Sequence, residues 1–183
     1  MSENRFFHVR RLVFMGLAAA LAYVVTFIQV PMFGFLTYDP KDVVIVLAGF
    51  VVGPLGACLI AVIVAGIEML TISATGPIGF VMNAASSMVL AGIAALIYKH
   101  NPTFKGALIG VVAGGLTMVA LMLALNYALV PIYMGVPREA VVALMLPVLL
   151  PFNLVKVGIN GMLILILFVP FMMLRKRADI PQG

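Results

Sequence analysis

The sequence predicts an all-α integral membrane protein, a single membrane domain of six transmembrane helices. Three observations carry that prediction. Hydrophobic residues make up 64% of the 183 positions, where a soluble domain averages about 45–50%. Charged residues make up 9%, where about 25% is usual. The apolar residues fall in long runs separated by short polar or Gly/Pro turns, and roughly 20 residues of such a run cross a hydrocarbon core of about 30 Å. About six spans fill a chain of this length, and no additional soluble domain is expected beside them. A built-in ATPase or a sizeable extramembrane enzyme domain is thereby excluded. The spans are expected to be helical, because period-two alternation of polar residues is absent and a barrel requires it.

The first span covers about 12–31 and ends at Pro31 and Gly34, which break a helix for backbone reasons. Its basic flank imitates a signal peptide, but the apolar run is too long for one. A polar loop, Phe35–Asp42, follows. The second span, 43–54, is short and stops at Gly53-Pro54. The third covers 55–72 and leads into Ser73–Pro77. The fourth covers 79–98 and ends at the basic turn Lys99–Lys105. The fifth covers 106–133. After Met134–Glu139 come a short apolar helix and Pro147. The sixth, 151–174, contains Pro170 as a kink or late stop and closes on Arg175-Lys176-Arg177. Eight of the eleven Lys and Arg sit in the N-terminal tail, the turn after span four and the C-terminal tail. With six spans these regions share one side, and the positive-inside rule makes it the cytoplasm. The expected location is a plasma membrane, with both termini cytoplasmic.

Polar side chains inside a span are expensive and therefore candidate sites. Asn153, Lys156 and Asn160 stand at i, i+3 and i+7, which places them within roughly 60° of one another on one helix face. The bland alternative is an interhelical clamp, with Glu68 as the partner of Lys156. Glu68 is either that partner or a ligand contact, and spacing leaves both open. Asn126 lies in span five. Asn83 lies in span four, near the outer turn that begins at Gly76. Ser86 and Ser87 read as packing glue between helices. The loop residues Thr37, Tyr38 and Asp39 sit on the same outer side as Asn83, Asn126 and Asn153. Together these make an outward-facing pocket of amides and one ammonium under a polar lid. Amides supply donors and acceptors and Lys supplies donors only, which suits a neutral, planar, heteroatom-rich ligand. An inorganic cation would want more carboxylates. No metal site is expected, and the lone Cys58 gives neither zinc spacing nor an intrachain disulfide. Phosphate-loop, H-E-x-x-H and G-x-S-x-G motifs are absent from the sequence, so no catalytic residues are assigned. In span one, Gly16 with Ala20 and Ala18 with Ala22 form two small-xxx-small pairs. They serve either internal packing or the docking of a partner helix.

The runs LTYDPKDVVIVLAGFVVGPLGA, GPIGFVMNAAS, LNYALVPIY and PFNLVKVGIN resemble the riboflavin-specific S components of energy-coupling factor (ECF) transporters, the RibU type. The resemblance covers about 15–175, and the PFN-x-x-K element is its most specific part. It implies a six-helix S-component bundle that binds riboflavin, as transported ligand and not as a covalent cofactor, near the outer face. It implies that Asn126, Asn153 and Lys156 hold the flavin ring under the first outer loop. It also implies partners: a membrane T subunit, docked on the small residues of the first helix, and two ATPase subunits that supply the energy. The match departs at the end of span three, where Ile67-Glu68 stands in place of Lys or Asn. The alternatives are an S component for another vitamin or a flavin analogue, and an integral-membrane lipid-modifying enzyme. The enzyme would need a base or metal cluster near an interface, and the sequence offers none.

Overall fold

The computed structural model describes residues 2–33 and 36–177. The first helix, α1 (Ser2–Thr26), begins well before the expected first span and ends before it. The stretch expected as a polar loop is partly a short hairpin. Strands β1 (Val30–Phe33) and β2 (Leu36–Tyr38) pair antiparallel, with Val30 opposite Tyr38 and Pro31 opposite Thr37. Each strand is an edge, so the missing N–H of Pro31 is tolerated. Gly34 and Phe35, within the expected break and loop, lie outside the described residues.

Among the described residues, five helices are long and apolar enough to cross a membrane, where six separate spans are expected. The difference lies in the second and third, which form one element, α2 (Lys41–Thr71). That element is not straight. Gly53 has φ 79° and ψ 175°, a conformation essentially reserved for glycine. Lys41 Nζ and Glu68 Oε2 are 2.8 Å apart although 27 residues separate them, and a straight helix would hold them about 40 Å apart. The chain therefore reverses at Gly53, and residues 41–52 and 54–71 lie side by side as two arms. Pro54 opens the second arm, where its missing N–H costs nothing. Arg11 of α1 donates to the Val52 carbonyl at the reversal. Replacing Gly53 with Ala should cost about 1–3 kcal/mol, read as a lower thermal midpoint in detergent. An unchanged midpoint would contradict this turn geometry.

Helix α3 (Gly76–His100) and helix α4 (Phe104–Met134) pack backbone to backbone. A Cβ on Gly110 would stand 2.7 Å from the Ala94 carbonyl oxygen, and one on Gly114 2.6 Å from that of Leu90. The Thr103 hydroxyl caps the start of α4 by accepting from the Gly106 N–H at 3.1 Å, and Gly135 ends it at φ 64°. Helix α5 (Arg138–Leu144) runs into a π turn, Met145–Leu149, and then into α6 (Leu150–Arg177). Pro147 and Pro151 withhold two N–H donors from the helical ladder. The Leu150 N–H reaches back five residues to the Met145 carbonyl. Such π turns recur at functional sites, and this one comes just before Asn153 and Lys156.

Ile45, Ile60, Leu90, Met118 and Ile164 are almost fully buried between the helices, whereas Leu55, Leu70, Ile132 and Leu146 are strongly exposed. This apolar exterior is what a lipid-facing surface requires. The small residues of α1 divide between the two environments. Ala18 and Ala22 are buried in the core, while Gly16 and Ala20 are exposed. Of the two expected docking pairs, Ala18 and Ala22 pack against this chain's own helices, and Gly16 and Ala20 are the pair left on the surface.

Candidate functional site

One end of the bundle opens into a cavity of about 470 Å³, within the range of small-molecule sites. Every long helix contributes to its wall. Thr26 comes from α1, Lys41 and Glu68 from the two arms of α2, and Asn83 and Ser86 from α3. Asn126 comes from α4, and Asn153 and Lys156 from α6. Thr37 and Asp39 of the hairpin region stand at the mouth beside Ser73 and Thr75. Met82, Met118, Met122 and Phe152 supply an apolar lining.

The three residues favoured from spacing and resemblance are brought together. Asn126 and Asn153 are both buried. Each donates its Nδ2 to the backbone carbonyl four residues earlier, Met122 and Leu149 respectively, at 2.7 Å. These bonds fix the carboxamides and leave their oxygens without a donor from the described protein. Lys156, one helical turn beyond Asn153, meets Asp42 Oδ2 at 3.4 Å.

Asp42 is the residue on which the site rests, and sequence reasoning assigns it only to a loop. It is 1% exposed and gathers three elements. Ser87 of α3 donates to Oδ1 at 2.5 Å, and Asn160 of α6 donates to Oδ2 at 3.4 Å. Tyr38 in turn donates to Asn160 Oδ1 at 2.8 Å. A buried carboxylate with an ammonium and two neutral donors is a satisfied one. Burial pushes the Tyr38 phenol up to about 12, with Lys156 pulling it down and Asp39 and Asp42 pushing it up. Tyr38 therefore remains a donor at physiological pH. Ser87 is a ligand to the buried acid and not mere packing glue.

A second knot forms one wall of the cavity. Glu68 pairs with Lys41 at 2.8 Å. It also accepts from Thr26 at 3.0 Å and from Asn83 at 3.1 Å. Asp39 adds a further contact to Lys41 at 3.5 Å. The pairing considered for Glu68 and Lys156 is thus corrected: each has its own counter-ion, Lys41 and Asp42, which are neighbours in the first turn of α2. The other expected site residues divide. Asn83, Thr37 and Asp39 line the cavity. Tyr38 does not line it and acts by bracing Asn160. Gly76 does not line it either; with φ 56° it starts α3, and Thr75 and Gly79 on either side of it line the wall instead.

The geometry can therefore hold a polar, flat molecule between amides and methionines. Two lysines and two acids, Lys41, Lys156, Asp39 and Glu68, share the lining, so the wall favours a ligand without net charge.

Known proteins resemble this chain in sequence and in fold. The family model for ECF transporter, substrate-specific component, matches residues 10–168. Over 171 residues the chain is 31% identical to the riboflavin transporter RibU of Staphylococcus aureus (strain TCH60), covering 87% of each protein. A solved S component of a bacterial ECF transporter superposes with a TM-score of 0.72 at 27% identity, covering 94% of this chain and 97% of the other.

Proposed function

The chain belongs to the substrate-specific components of ECF transporters, and on that premise we propose that its cavity takes one riboflavin per chain from outside the cell. The chain is a substrate-binding transport subunit and not an enzyme. The observation that carries the ligand assignment is the convergence of Asn126, Asn153 and Lys156 on one cavity. The flavin ring is flat and uncharged, with an imide N–H between two carbonyl oxygens. A fixed carboxamide oxygen accepts from that N–H, and the ammonium donates to a carbonyl. The methionines and Phe152 give the ring two apolar faces. The name of the Staphylococcus aureus relative supports the same ligand. Riboflavin is held without a covalent bond, as cargo.

Both arms of α2 lie in the bilayer in this reading, which makes six passages and puts the two termini on one side. The first arm, residues 41–52, is only about 18 Å long, and the hairpin lies at its outer end, where its open edges meet water and headgroups and not hydrocarbon. Eight of eleven basic residues then face the cytoplasm and the cavity faces outward, with Thr37 and Asp39 on its lid. On α1, the exposed Gly16 and Ala20 form the docking face for the T subunit, which joins the chain to two ATPase subunits. The sequence has no phosphate-binding loop, so this chain captures and the partners energise. Cells that make the chain together with a T subunit and its ATPases should accumulate labelled riboflavin. Cells that make the chain alone should bind it without sustained accumulation. Energised uptake by the chain alone would overturn the subunit assignment.

A further inference from the structure

We propose that Ser86 is a further ligand-binding residue, which recognises the heterocyclic ring at the closed end of the cavity. Its hydroxyl oxygen is enclosed and has no hydrogen-bond partner among the described residues. Ser86 is 3% exposed and lines the cavity. Leaving a hydroxyl buried and unpaired costs free energy, and the cost is recovered when a ligand brings a partner.

The position of Ser86 indicates what it meets. On α3 the cavity stripe runs through Gly79, Met82, Asn83 and Ser86. Ser86 is its innermost member, ten residues from the start of α3 at Gly76 and about 15 Å in along the axis. On α4 the innermost lining residue is Met118, and on α6 it is Lys156. These three form the floor. The next residue, Ser87, donates to Asp42, the counter-ion of Lys156, so the Ser86 backbone is tied to the same fixed assembly. Lys156 offers donors only, whereas a hydroxyl offers one donor and two acceptor lone pairs. The floor therefore suits a ring edge that carries both N–H and carbonyl groups. The polar residues at the mouth, Thr37, Asp39, Ser73 and Thr75, are left for a hydroxylated side chain. This inference rests on the flavin reading above and adds the orientation of the ligand: ring inward, chain outward.

The test uses Ser86→Ala in the full chain, titrated with riboflavin and with lumiflavin, whose ring bears a methyl group in place of the ribityl chain. Affinity for both should fall by the same factor, at least about fivefold. The thermal midpoint of the ligand-free protein should stay the same or rise, because no protein partner is lost. Three results would overturn the proposal: wild-type affinity for both flavins, a loss confined to riboflavin (which would put the ribityl chain at the floor), or a lowered ligand-free midpoint (which would make Ser86 structural). If the wild type itself binds neither flavin, the riboflavin assignment fails and this inference falls with it. If the wild type binds both and Ser86→Ala behaves like it, only this inference fails.

Discussion

Asp42→Ala should destabilise the protein by about 3–5 kcal/mol, because it strands the buried Lys156 without its counter-ion. The same change removes the acceptor of Ser87 and one partner of Asn160. Asn160 is fully buried and in turn accepts from Tyr38, so the damage extends to the hairpin at the mouth. The effect would be read as a large drop in thermal midpoint in detergent, with little folded protein recovered at the growth temperature. A compensating variant separates charge from shape. Asp42→Leu combined with Lys156→Met removes both charges, and apolar replacement of a whole buried pair is often neutral or better. The double variant should recover much of the stability that the single one loses, without recovering ligand binding. A single Asp42→Ala variant as stable as wild type would show that Lys156 does not depend on this acid.

Asn153→Ala and Asn126→Ala should each weaken riboflavin binding roughly 5- to 150-fold, the equivalent of about 1–3 kcal/mol. The two differ in what else they lose. Asn153 Nδ2 holds the Leu149 carbonyl at the end of the π turn, so its removal also loosens the backbone that aims Lys156. Asn126 Nδ2 holds the Met122 carbonyl inside an ordinary helix, which keeps its ladder without help. Asn153→Ala is therefore expected to lower the thermal midpoint as well as the affinity, and Asn126→Ala to lower the affinity almost alone. Flavin fluorescence quenching and a melting curve on the same samples measure both. Wild-type affinity in both variants, with normal melting, would place the ligand elsewhere.

Much of the scaffold is legible in the sequence, because lipid imposes a simple requirement. A run of apolar residues long enough to cross must be a helix, and its polar interruptions mark the turns. The expected fourth and fifth spans, 79–98 and 106–133, lie inside α3 and α4. The break at Gly53-Pro54 is legible for the same reason. What is not legible is that a single residue reverses the chain there, with no intervening loop. The hairpin strands have four and three residues, too few to show alternation.

The site is legible in its types and not in its pairings. Spacing identifies Asn153 and Lys156 as sharing a face, but it gives no depth relative to another helix. Asp42 precedes one apolar run and Glu68 stands inside the next, and only the packing of the two arms decides that Lys41 takes Glu68 and Lys156 takes Asp42. Ser86 and Ser87 are adjacent and alike in sequence, yet a helix turns about 100° between them; Ser87 reaches Asp42, and Ser86 is among the residues that line the cavity. The small residues of α1 carry a related lesson. Positions 16 and 18 are about 200° apart around the axis, so the two small-residue pairs point to opposite sides and cannot form one docking face. Geometry alone separates the pairs, while the burial of Ala18 and Ala22 shows which pair is internal.

The measurement that bears most directly on this protein's role is an equilibrium titration of the purified, ligand-stripped chain with riboflavin, followed by loss of flavin fluorescence. Quenching should saturate at one riboflavin per chain. Riboflavin fluorescence that stays unchanged at all protein concentrations, in a sample that melts cooperatively and is stabilised by a different vitamin, would contradict the assignment and leave an S component with another cargo.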